Sequence, residues 1–152
     1  MSLARRVADR WEAEGVAWDE GADPAQLDQA EEIHGIRLPT AFRELWMLRD
    51  GTGAPDRHWL IFMQASDLVQ PLYATRSETG VDLMFADWRQ GTAVVLALGP
   101  HDCGVARVDG EVRRALAPSF DAFLEAYLSD SPEAFTARMV RPRRGPTGPR
   151  SR

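Results

Sequence analysis

The sequence predicts an α+β domain in which a mainly antiparallel sheet of about four to six strands is flanked by helices from both ends of the chain. Three observations carry that expectation. Apolar residues recur at helical spacing in the first third of the chain and again near residue 120, and the intervening stretch is built of short β-prone runs, two of which meet across Asp109-Gly110. With 152 residues and 44% apolar side chains, the chain can bury one substantial core without help from disulfides or a structural metal.

Leu3, Val7 and Trp11 fall at i, i+4 and i+8, with charges on the other faces, so residues 2–14 read as an amphipathic helix ending near Gly15. The sequence leaves open whether this helix and Trp18 close the core or extend an interface. Asp23-Pro24 supplies an N-cap and a rigid first position for a second helix, carried by Leu27, Ala30, Ile33 and His34 and stopped at Gly35. A third begins within Leu38-Pro39-Thr40, runs through Phe42, Leu45, Trp46 and Leu48, and ends at Asp50-Gly51, with Gly51 expected as a left-handed C′ residue. Strand signals follow at Trp59–Met63, Val81–Ala86 and Ala93–Leu98, while Gln70–Tyr73 has no clear role. Gly104–Val108 and Glu111–Ala115 are expected to form a hairpin with Asp109-Gly110 in a type I′ turn. Phe120, Phe123, Leu124 and Tyr127 mark a last helix from about Ser119 to Ser129, and Ser131-Pro132-Glu133 opens a further turn.

Charge divides the chain in two. Residues 138–152 hold six arginines and no acid, so residues 1–137 keep 12 arginines against all 23 acids and stand at -11 within a net charge of -5. Residues 1–137 are therefore read as a single domain and 138–152 as a basic, Pro/Gly-containing tail expected to be disordered. The opening lacks the continuous apolar run of a secretory signal, and no stretch approaches the ~20 apolar residues of a membrane span, so a cytoplasmic location and no membrane partner are expected.

Enzyme signatures are missing. A lone Cys103 offers no disulfide or multi-cysteine metal site, and His34, His58 and His101 lie in separate segments without metal-ligand spacing. His101-Asp102-Cys103 contains the parts of a nucleophilic site but reads as an ordinary loop at a strand edge. No phosphate-binding GxxxxGK[ST] loop exists in a chain without lysine, and Asp50-Gly51-Thr52-Gly53 follows a helix rather than a strand. No catalytic residue, metal or cofactor is expected. Nucleic acid is an expected partner only through the arginine tail.

The run from Leu27 to Gly51, with Glu31 or Glu32, Gly35, Leu38-Pro39, Phe42, Leu45-Trp46 and Asp50-Gly51, resembles the opening signature of the SUKH superfamily, and Ser119-Phe120 leading into the last helix is similar to its closing pattern. The resemblance covers residues 25–128. It implies an α+β fold and, for the bacterial members that look like immunity proteins, non-enzymatic binding that neutralises a cognate toxin, often a nuclease, encoded nearby. The acidic body independently suits a basic protein partner. Candidate contacts are Asp82, Asp87, Trp88 and Arg89 in a central turn, with Asp56, His58 and Trp59 as a second exposed-loop group. Two alternatives stand beside this reading: a housekeeping or regulatory protein-interaction domain, and a nucleic-acid-associated protein acting through the tail.

Overall fold

The computed structural model describes residues 1–89, 91–100 and 103–130. The expectations for His101-Asp102, for the turn at 131–133 and for the basic tail lie outside the described residues.

Three helices come first: α1 (Leu3–Ala13), α2 (Pro24–His34) and α3 (Thr40–Leu48). Ser2 caps α1 by accepting from the Arg5 amide, and Asp23 caps α2 by accepting from Ala25, with Pro24 in the first turn. Pro39 occupies the N-cap of α3 rather than its first helical position. Its neighbour Leu38 keeps an amide that cannot be bonded within the helix, and Glu31 Oε2 accepts that bond at 2.8 Å, tying α2 to the start of α3. The signature acid is thus Glu31, while Glu32 is exposed. His34 is buried, its Nε2 lying 2.7 Å from the Leu68 carbonyl, as a packing residue would be.

The middle of the chain supplies β1 (Leu60–Phe62), a short helix α4 (Ala65–Leu68), a 3₁₀ turn (Pro71–Tyr73), β2 (Ala74–Ser77), β3 (Gly80–Trp88), β4 (Thr92–Leu98), β5 (Cys103–Asp109) and β6 (Val112–Ala117), and α5 (Phe120–Ser129) closes the described fold. The sheet runs β1-β3-β4-β5-β6, with β2 pairing the first half of β3, and every pairing is antiparallel. Gln70–Tyr73, whose role was open, contributes the 3₁₀ turn that delivers the chain to β2.

Two turns differ from expectation. Asp109 pairs with Val112, so the central hairpin residues are Gly110 and Glu111, and only Gly110 has positive φ (64°). A type I′ turn needs both central residues there; glycine at the first position alone fits II′. Gly51 is left-handed (φ 79°), but it lies two residues beyond the C-cap Arg49 rather than at C′. Its reason is close approach as well as conformation, since a Cβ would meet the Phe62 and Met63 carbonyls at 2.6 and 2.5 Å.

The helices pack on one face of the sheet. Phe42 stacks on Trp46 at 4.0 Å between centroids and meets Phe85 and Phe120 edge-on or tilted, while Phe62, Phe123 and Tyr127 complete an aromatic core. Leu38, Phe42, Leu45, Trp46 and Phe120 are all buried there, and Ser119 caps α5 by accepting from Ala122.

A bulge in β3 keeps this face apolar. Met84 pairs with Val95 and Ala86 with Val94, leaving Phe85 as the extra residue. Val81, Leu83 and Phe85 point inward before it, and strict alternation would bring Asp87 inward next. The extra residue resets the register so that Ala86 and Trp88 are buried instead.

Candidate protein-binding surface

The pairing of β1 with β3 places Leu60 opposite Trp88 and so joins the two loop groups that the sequence separates. The Arg89 amide donates to the Trp59 carbonyl at 3.0 Å, and Trp88 Nε1 donates to the His58 carbonyl at 3.0 Å. Trp59 (φ 67°) and Arg89 (φ 56°) both hold left-handed backbone, a conformation that costs a residue with a side chain about 1–2 kcal/mol. Trp59 is 60% exposed, and the Arg89 guanidinium lies over the Trp88 ring, 4.8 Å from its centroid. The Asp87 carboxylate accepts from the Gly91 amide at 2.9 Å and fixes the turn between β3 and β4.

Two of the expected exposed residues are in the interior. Trp88 is 5% exposed, because the bulge turns its ring to the core face. Asp56 is 6% exposed and acts as a buried anchor: Oδ1 accepts from the amides of His58 (2.8 Å) and Leu60 (2.9 Å), while Oδ2 accepts from the Tyr127 hydroxyl. That hydroxyl in turn accepts from Trp11 Nε1 at 2.9 Å. Burial first, then the Asp56 charge, push the Tyr127 phenol far above its ordinary pKa, so it stays a neutral donor. Loop 53–59 is thereby bolted to α1 and α5.

His58 Nε2 lies 3.1 Å from Asp130 Oδ1, and Arg10 and Arg57 reach the same carboxylate at 2.8 and 3.3 Å. Burial raises the Asp130 pKa, but the His58 hydrogen bond and the two arginines outweigh it and hold the carboxyl below its usual range. Nothing in the one-dimensional pattern marks Tyr127, Trp11 and Asp130 as partners of Asp56 and His58, since the segments lie some 45 to 120 positions apart and only the packing of α1 against α5 unites them.

Asp82 stands apart. It lies on the sheet face away from the helices, roughly 17 Å along β3 from Asp87, where it pairs with Arg113 of β6 at 3.0 Å. Burial pushes its carboxyl above the ordinary value, with Arg113 offsetting this only in part. Because β3 and β6 are not neighbours in the sheet, this contact requires the sheet to curl, and the trough so formed, about 850 Å³, is floored by Ala97, Gly104, Ala106 and Ala115.

A second exposed aromatic was left open by the sequence. Trp18 is 43% exposed and rests against Gly53 at the start of the same loop, whereas Trp11 is fully buried. Asp9, Glu12, Asp19, Glu20 and Asp23 are exposed as well, with Glu12 paired to Arg49 at 2.6 Å. Among the described residues, no three His, Cys, Asp or Glu side chains converge as metal ligands, and no helix is long and apolar enough to cross a membrane.

No curated protein matches the chain. The family model for SMI1/KNR4 (SUKH-1) matches residues 21–126, the span from the loop before α2 into α5 that contains Glu31, the Leu38-Pro39 step, the Phe42–Trp46 stripe and the Ser119 cap; the chain belongs to that family.

Proposed function

We propose that the chain is a non-enzymatic protein-binding domain that acts in the cytoplasm as an immunity protein, neutralising a basic toxin domain by occlusion. Family membership supports a protein-interaction role. The observation that carries the reading further is Trp59: a large aromatic side chain held 60% exposed, on left-handed backbone, by a loop anchored through a buried carboxylate. Core packing gives no reason to keep a tryptophan there, while a rigid exposed tryptophan beside an arginine is the composition of an interface hot spot. Trp18, which rests against Gly53 of the same loop, adds a second exposed aromatic, and the -11 of residues 1–137 favours encounter with a cationic partner.

The test is direct. The product of a toxin-like gene adjacent to this one is purified, and its binding and inhibition by the wild-type chain, Trp59→Ala and Trp18→Ala are measured. Stoichiometric inhibition that weakens at least tenfold in Trp59→Ala, with unfolding unchanged, is the expected result. A folded wild-type chain that binds no neighbouring toxin, or a Trp59→Ala variant that inhibits as well as wild type, overturns the proposal.

A further inference from the structure

The sheet ends on β6, and no described residue pairs with its second edge. The hairpin geometry fixes which backbone groups face outward. With Asp109 and Val112 closing a two-residue turn, Val112 and Arg114 exchange bonds with β5, so Arg113 and Ala115 direct their N–H and C=O groups away from the sheet. Residues Val112 to Ala115 are exposed, and the strand contains no acid and no proline.

Charge on this edge is uneven. Arg114 lies directly opposite Arg107, which is 2% exposed, so two guanidinium groups occupy neighbouring positions on one face. Arg107 has Asp109 at 3.7 Å and Arg113 has Asp82 at 3.0 Å. Arg114 makes no ion pair among the described residues. The edge of an acidic body thus presents a cation whose nearest strand neighbour is another cation.

We propose that the free edge of β6 accepts an extended acidic segment of a partner protein by strand addition, with a carboxylate of that segment facing Arg114. Backbone bonds to Arg113 and Ala115 supply the pairing, and the carboxylate pairs with the Arg114 guanidinium. Edge-to-edge pairing of two copies sets the arginines of one β6 against those of the other. This surface is separate from the Trp59 loop, which lies beside β1 at the other end of the strand order.

The full chain, labelled with ¹⁵N, is titrated with a blocked Thr-Val-Glu-Val-Glu-Val-Glu-Thr peptide and with the counterpart in which each Glu is Lys. The Glu peptide is expected to bind at least tenfold more tightly, to slow exchange of the Arg113 and Ala115 amides, and to lose affinity as salt rises. Ala115→Pro, which removes an outward donor without touching the bonds to β5, is expected to abolish binding. Arg114→Glu is expected to reverse the preference toward the Lys peptide, a gain that misfolding would not produce. Equal affinity for the two peptides, no binding at millimolar concentration, protection confined to other residues, or a dimer that Ala115→Pro dissociates would each overturn the proposal.

Discussion

Replacing Tyr127 by Phe removes one oxygen atom from the interior and leaves the aromatic packing in place, so it isolates the polar node at the base of loop 53–59. Two bonds are lost. The Asp56 carboxylate gives up the bond from the phenol, and Trp11 Nε1, on a fully buried side chain, gives up its acceptor at 2.9 Å. A hydrogen bond to a charged group contributes about 1.5–3 kcal/mol and an orphaned buried donor costs about 1–3 kcal/mol, so with partial relaxation the expected destabilisation is about 3 kcal/mol. At a urea dependence of ~2 kcal/mol/M this lowers the unfolding midpoint by about 1.5 M with an unchanged slope. The same variant has an alkaline signature. The folded pKa of Tyr127 is raised, so its contribution to stability is complete below the unfolded value near pH 10 and is lost as pH rises beyond it, at up to ~1.4 kcal/mol per pH unit. Tyr127→Phe removes that component from the alkaline limb. A midpoint within about 0.3 M of wild type, or an unaltered alkaline limb, would refute the reasoning that this hydroxyl is a buried and essential donor.

Other substitutions separate structural roles from surface roles. Trp88→Ala is expected to cost about 3–5 kcal/mol by urea unfolding because its ring is buried, whereas Trp59→Ala should change stability by no more than about 0.5 kcal/mol. Gly51→Ala should destabilise by about 2 kcal/mol or more in the same assay, since it combines a left-handed backbone with a Cβ pressed against two carbonyls. Asp130 is held below its usual pKa, so its stabilising contribution is present above about pH 4 and is lost as pH falls through the folded value. Asp130→Asn should therefore show a shallower loss of stability on acidification, followed by thermal unfolding between pH 6 and pH 2.

The four longer helices, α1, α2, α3 and α5, and the last hairpin were legible because their signals are local, whereas the one-turn α4 was not read. Asp23-Pro24, the Phe42–Trp46 stripe and Asp109-Gly110 each act within a few residues, and observed boundaries fall close to the expected ones. Strand β2 was missed because Ala74–Ser77 is short, polar on its exposed side, and defined only by its pairing with β3. That Trp88 packs inward rather than standing as a contact in the central turn was not legible for a different reason. The run Val81–Trp88 reads as a simple alternation, and a single bulged residue at Phe85 exchanges the faces of everything after it. The acid in the α2 signature was ambiguous between Glu31 and Glu32 until the Leu38 amide selected one of them.

The buried node and the exposed tryptophan are connected by mechanics. Asp56 gathers the amides of His58 and Leu60, which flank Trp59, while Arg89 bonds the Trp59 carbonyl. The left-handed Trp59 is thus fixed from both sides of the chain, and the conformational cost of presenting its side chain is met on folding rather than on binding. It follows that a change in the interior should weaken a surface contact. Tyr127→Phe leaves every exposed residue of loop 53–59 in place, yet it releases one of the bonds that hold Asp56 and should let Trp59 relax toward negative φ. Partner affinity measured by titration at a temperature where the variant remains folded should fall, and the loss should appear together with a change in Trp59 emission. Wild-type affinity in a folded Tyr127→Phe variant would mean that the loop is held by its own backbone bonds and that the Asp56–Tyr127 contact serves stability alone.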